Sequence, residues 1–105
     1  MILESISMIR INTLNRCGRT LTLELMGYIN KTEFDILYEY LQSHVEEGIT
    51  EVCIVANEVR SLNPLLGRDA TRLGQLGPTL HFQQLAPSIQ STLESWGLEA
   101  WIDDK

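Results

Sequence analysis

Residues 30–56 read NKTEFDILYEYLQSHVEEGITEVCIVA, and this stretch decides the fold. Asn30 and Glu33 stand at the spacing of a capping box, in which Asn30 accepts an orphan backbone N–H and Glu33 reaches back to the cap. Phe34, Leu37, Tyr38, Leu41 and Val45 then recur at helical spacing, with Glu39, Gln42 and Glu46 opposite. Gly48 stands where a helix C-terminus favours a left-handed residue. The spacing predicts an amphipathic helix whose single apolar stripe needs a sheet beneath it. Val52-Cys53-Ile54-Val55-Ala56 follows, and its unbroken apolar run predicts a central parallel strand covered on both faces.

Upstream, Ile6 to Asn12 is β-branched enough for a strand. Asn15-Arg16-Cys17-Gly18 reads as a turn, with Gly18 free to take positive φ. Leu21, Leu23 and Leu25 alternate with Thr22 and Glu24, the pattern of a half-buried second strand, and the two strands read as an antiparallel hairpin. Downstream, after a loop, Asn63 suits a helix cap and Pro64 its first turn. Leu66, Ala70 and Leu73 supply the inward stripe of that helix, and Gly67 and Gly74 each weaken it by about 1 kcal/mol relative to alanine. Gly77-Pro78 stops it, and Thr79 to Phe82 reads as a short strand. Pro87 opens a third helix with Ile89, Leu93 and Trp96 on one side, Gly97 closes it, and Glu99 to Ile102 reads as a final strand. The expected class is α/β: one domain over residues 1–105, a hairpin and then alternating strands and helices, with a mostly parallel mixed sheet of about five strands and three main helices. Three helices on so short a chain are too few to cover both faces of the sheet evenly, which leaves one face partly open or free for a partner.

Composition excludes several roles. With 105 residues, 44% apolar and 21% charged, the chain has enough hydrophobic surface to offset ordering and is not disordered. Fourteen acids against eight bases, a net charge of −6, argue against nucleic acid as a partner, because phosphate contacts need clustered Lys and Arg. The N-terminus carries Glu4 where a signal peptide is apolar, and the longest apolar run, Val52 to Ala56, is too short to cross a bilayer, so a cytoplasmic location without membrane insertion is expected. Cys17 and Cys53 read as free thiols, Cys53 in the core. His44 and His81 show no ligand spacing with either cysteine, so no metal is expected. No nucleophile elbow, Walker loop or dinucleotide fingerprint occurs, and no cofactor is implied. Gly74-Gln75-Leu76-Gly77 lacks the basic neighbours of a nucleotide clamp and reads as a helix-ending turn. The pairs Glu46-Glu47 and Asp103-Asp104 read as solvated charge rather than as an acid–base couple, and enzymatic activity is not expected. Arg60, Arg68 and Arg72 form the one local basic cluster, either a patch for an acidic partner or phosphate, or a solvated helix face beside Asp69.

Three segments carry a family resemblance. Met26-Gly27-Tyr28-Ile29-Asn30 with the helix after it resembles the opening of a STAS domain, the fold of bacterial anti-sigma factor antagonists. Leu80-His81-Phe82 and then Pro87-Ser88-Ile89-Gln90-Ser91-Thr92-Leu93-Glu94-Ser95-Trp96-Gly97-Leu98 are similar to that family's late strand, its Pro-initiated helix and the Gly-Leu that closes it. The likeness runs from about Leu21 to Ile102. In the family an Asp ends the central strand, and a second Asp eight residues on begins an Asp-Ser-Ser-Gly-like helix start whose second hydroxyl residue accepts phosphate. Matching Val59 and Leu62 to the family's apolar positions sets Val55 on the first Asp, Asn63 on the second, Pro64 and Leu65 on the hydroxyl residues and Leu66 on the glycine.

The resemblance therefore implies a helix start without its phosphoacceptor. Leu65 has no hydroxyl, and Ser61, the nearest alternative, precedes the cap. It further implies a non-catalytic protein-interaction module whose contact residues are Arg60, Ser61, Asn63, Leu65, Leu66, Arg68 and Arg72, with the loop Arg60 to Asn63 part of the contact surface. The implied partner is an anti-sigma factor or a signalling scaffold. Alternatives are an accessory subunit docking on the ATPase of an ABC-type phospholipid transporter, and a small-ligand or nucleotide sensor. Exposed apolar residues near Trp96 or Trp101 are candidates for a homodimer contact.

Overall fold

Alternating leucines at 21, 23 and 25 and at the even positions Val52, Ile54 and Ala56 give two adjacent strands one common apolar side, and the architecture grows from that pairing. The computed structural model describes residues 9–103. It contains β1 (Ile9–Cys17), β2 (Thr20–Ile29), α1 (Lys31–Glu46), β3 (Glu51–Leu62), a 3-10 turn (Pro64–Leu66), α2 (Gly67–Gly74), β4 (Thr79–Gln83), α3 (Pro87–Ser95) and a second 3-10 turn (Glu99–Trp101). The sheet runs β1-β2-β3-β4, antiparallel between the first two strands and parallel thereafter, which makes the expected mixed α/β fold.

All three helices share one side of this sheet. Leu25 and Ile29 of β2, Ala56 and Val59 of β3 and Phe82 of β4 close one interior with Phe34 and Leu37 of α1, Ala70 and Leu73 of α2, and Ile89 and Leu93 of α3. The other side carries Asn15, Thr22, Cys53 and His81 in register across the four strands. Val52 and Ile54 are fully buried while Cys53 and Val55 between them are half-buried, so the apolar run is covered on one face rather than two. Cys53 accordingly lies on the open face and not in the core.

The start of α1 forms as its sequence predicts: Glu33 accepts the Asn30 N–H at 3.0 Å and completes a capping box. At the other end Gly48 takes φ of 105°, a conformation side chains rarely adopt. Gly67 and Gly74 of α2 have a packing reason. A Cβ on Gly67 would lie 3.1 Å from the Trp96 ring, and one on Gly74 would lie 3.0 Å from the Trp101 ring. Helix propensity is given up there so that two indoles can lie against α2. Trp96 and Trp101 are thus half-buried and packed against the core.

Four boundaries differ from expectation. The strand expected from Ile6 begins, among the described residues, at Ile9 and continues to Cys17, through most of the expected turn; residues 6–8 lie outside the described residues. A bulge between Thr13 and Asn15 absorbs the irregularity, and the chain reverses at Gly18 and Arg19. β3 runs to Leu62, because Val59 and Leu62 continue the pairing with Gly27 and Ile29 beyond the apolar run. Residues 60–62, expected in a loop, are therefore strand. The helix expected at Pro64 opens as a 3-10 turn and becomes α-helical only at Gly67. The final strand reduces to one bridge between Ile102 and Phe82, because Trp101 stacks on Phe82 and the turn Glu99–Trp101 takes the place of a ladder. Among the described residues the sheet has four strands rather than about five.

Candidate functional site

The segment that the family resemblance singled out lies at the carboxyl ends of β2 and β3, where Tyr28 pairs with Ser61 and Ile29 with Leu62. Asn63 organises it. Its N–H donates to the Ile29 carbonyl at 3.0 Å, its Oδ1 accepts the Leu65 N–H at 2.9 Å, and its Nδ2 donates to Oδ1 of Asn30 at 3.3 Å. The cap of α1 and the cap of the 3-10 turn are thereby joined. Lys31, the first residue of α1, donates to Asp69 of α2 at 2.6 Å and to Asp35 at 3.2 Å, and these carboxylates, Asp69 first, raise its pKa. On the far side Nε1 of Trp96 donates to the Pro64 carbonyl at 3.0 Å. Three elements therefore fix the backbone of residues 63–66.

Two leucines meet opposite fates on that fixed backbone. Leu66 is 4% exposed and belongs to the core, whereas Leu65 is 87% exposed. Leu66 thus anchors the turn and presents nothing outward. Tyr28, 47% exposed, flanks the same edge and was not among the residues picked from the sequence. Its signal was there: in β2 it precedes the buried Ile29, and alternation turns an aromatic at that position outward.

The turn does not form an anion cradle. Pro64 has no N–H, that of Leu65 is taken by the Asn63 side chain, and that of Leu66 donates to the Asn63 carbonyl at 3.1 Å. A phosphate at a helix start is held by such N–H groups, and these are spent. Ser61 is exposed but lies within β3, ahead of the cap. Val55, set by the resemblance on a strand-ending Asp, is mid-strand on the open face.

The three arginines have separate surroundings. Arg60 donates to Glu58 at 3.1 Å, while Arg72 lies 4.9 Å above the Tyr38 ring of α1 and 3.9 Å from Asp69. Arg68 is exposed and makes no ion pair among the described residues. Of the basic cluster, Arg68 alone keeps its charge unmatched there.

On the open face His81 places Nδ1 3.0 Å from Asp103 and Nε2 3.7 Å from Glu51, and Gln83 donates to the other Asp103 oxygen at 3.1 Å. The Gln83 bond and then the His81 bond hold the Asp103 carboxyl below the usual carboxylate range. Burial first, and then the charges of Asp103 and Glu51, push the Cys53 thiol up, so it stays protonated at neutral pH. Cys17 and Cys53 are free thiols on strands separated by β2, a gap of roughly 10 Å that no disulfide spans. Among the described residues no three His, Cys, Asp or Glu side chains are grouped to hold a metal ion. The interior cavity between sheet and helices is about 30 Å³ and wholly apolar, a tenth or less of the roughly 300–1,000 Å³ that a small-molecule pocket occupies. Among the described residues no helix is long and apolar enough to cross a membrane.

No family model matches the chain, and no curated protein does. Solved structures do. The anti-sigma factor antagonist SpoIIAA in its unphosphorylated form superposes with a TM-score of 0.67 at 13% identity, over 92% of this chain and 87% of that one. The Bacillus cell fate determinant SpoIIAA in its phosphorylated form gives 0.63 at 14% identity, over 92% of this chain and 90% of that one. The chain has a STAS-like fold. At this identity the likeness speaks for the fold alone.

Proposed function

We propose that this chain is a non-catalytic protein-interaction module of the anti-sigma antagonist kind whose docking edge works without a Ser/Thr phosphoswitch. The observation that carries the reading is Leu65: an apolar side chain 87% exposed on a backbone held from three sides. A rigid exposed leucine costs solvation in the free protein and gains it back on burial against a partner. Tyr28 and Leu65 supply the apolar centre of the edge, Ser61 and Asn63 its polar surround, and Arg68 a charge for an acidic group on the partner. Arg60 and Arg72 sit at its margins and act through Glu58 and Tyr38. The fold of SpoIIAA, an anti-sigma factor antagonist solved both with and without phosphate, supports an anti-sigma factor as the partner class.

Leu65→Glu tests the edge. Its melting temperature should match the parent, with a stability change within about 0.5 kcal/mol because no core contact is lost. Affinity capture from native lysate should lose the partner that the parent chain retains; unchanged capture rejects this surface. Incubation with a cognate anti-sigma kinase and ATP should add no phosphate mass to residues 62–66, and a gain of one phosphate there rejects the loss of the switch.

A further inference from the structure

Leu65 is aimed by the peptide unit that precedes it, and both polar atoms of that unit are taken. The Pro64–Leu65 amide is planar, with its N–H and C=O on opposite sides. The N–H donates to Oδ1 of Asn63 at 2.9 Å, and the C=O accepts the indole Nε1–H of Trp96 at 3.0 Å. Asn63 is the cap of the same turn, whereas Trp96 stands at the C-terminal end of α3, 32 positions after Pro64. A plane held at one atom still pivots about that contact. Held at both, it turns only by breaking a bond. The proline ring fixes φ of Pro64, so this plane turns through ψ of Pro64 and φ of Leu65, the torsions that set the direction of the Leu65 side chain.

Packing alone does not account for Trp96. Within α3 it is Ile89 and Leu93 that are buried, at 5% and 2% exposure, while Trp96 is half-buried. Its indole reaches the carbonyl across Gly67, the first residue of α2. Gly67 has φ of −58° and ψ of −40°, ordinary helical values that any residue adopts. The backbone there does not call for glycine, but the indole does. A Cβ would lie 3.1 Å from Cδ1 and 3.3 Å from Nε1, at the donating corner of the ring. Alanine would favour the helix by about 1 kcal/mol and crowd the donor away from Pro64. The matching contact at the other end of α2 differs: Gly74 faces Cζ2 and Cη2 of Trp101, which are ring carbons.

We propose that Trp96 is a positioning residue of the docking edge: its indole N–H locks the Pro64–Leu65 peptide plane and holds the Leu65 side chain in the direction from which a partner meets it. This role rests on Leu65 being the contact proposed for the edge. A side chain held in one direction before binding loses less conformational freedom on burial, so the lock raises affinity without adding a contact.

Trp96→Phe in the full chain keeps a ring over Gly67 and deletes the donor. The Leu65 amide hydrogen should then exchange roughly three- to tenfold faster than in the parent, the loss expected for one hydrogen bond. The Leu65 amide resonance should move, and its NMR order parameter should fall. Trp101→Phe, an equal truncation at the other end of α2, should leave all three measures at parent values whatever it does to the melting temperature. Gly67→Ala should reproduce the Leu65 changes in weaker form and shift the indole N–H resonance of Trp96, and it carries the test if Trp96→Phe does not fold. Partner capture by Trp96→Phe should fall about fivefold below the parent, where Leu65→Glu loses it altogether. Leu65 measures that stay unchanged in Trp96→Phe and Gly67→Ala, or that change as much in Trp101→Phe, overturn the proposal. Full capture by Trp96→Phe beside lost capture by Leu65→Glu also overturns it and leaves the Leu65 contact standing. Full capture by Leu65→Glu rejects the contact itself, and the role of Trp96 falls with it.

Discussion

Along β3, Val52, Ile54 and Ala56 point into the helix layer and are fully buried, while Cys53 and Val55 stand between them on the open side, half-buried. The same strand thus supplies stability on one side and accessible chemistry on the other. Leu66 and Leu65 repeat that division one turn beyond the sheet, at 4% and 87% exposure. Hydrophobic composition therefore locates neither core nor contact by itself. The direction of each side chain from the backbone decides, and in a strand that direction reverses at every residue.

Alanine substitution on opposite sides of β3 should break the comparison most sharply. Ile54→Ala should cost about 3 kcal/mol in urea unfolding, through lost burial and a cavity the core cannot refill, whereas Val55→Ala should cost about 1 kcal/mol or less. Equal losses would mean that the open face is covered. Leu66→Ala belongs with Ile54→Ala, at about 3 kcal/mol, in contrast to the near-neutral Leu65→Glu. Asn63→Ala, which strips the cap from the turn and the link to Asn30, should lose about 1 kcal/mol by the same measurement and loosen the Leu65 edge. The smallest effect concerns Asp103 on the open face. Its carboxyl is held below its unfolded pKa, so its stabilisation is present above the unfolded carboxylate range and is lost as pH falls through the folded value. The melting-temperature gap between the parent and Asp103→Asn should therefore be present at neutral pH and close in acid. A gap that persists in acid would show that charge on Asp103 is not what holds the tail to His81 and Gln83.

Much of this was readable from spacing. The capping box at Asn30 and Glu33, the stripe from Phe34 to Leu41, the alternation at Leu21 to Leu25 and the cap at Asn63 are local patterns, each written as a spacing of residue types within a few positions. The exposed contact edge was less legible. Leu65 and Leu66 look alike in a sequence, and Tyr28 reads as one more apolar residue near a strand end. The fates of these three depend on what packs behind them.

Local order thus settled most of the helices and strands, because caps and apolar periodicity act within one element. Tertiary structure alone decided how far β3 extends, that all three helices crowd one side, and that the last segment is a turn stacked on Phe82 rather than a strand. It also explains the two weak points of α2, Gly67 and Gly74, whose missing side chains make room for Trp96 and Trp101 arriving from about 30 residues away. Those outcomes are set by volume and by pairing between distant residues, and no window of neighbouring residues contains both partners.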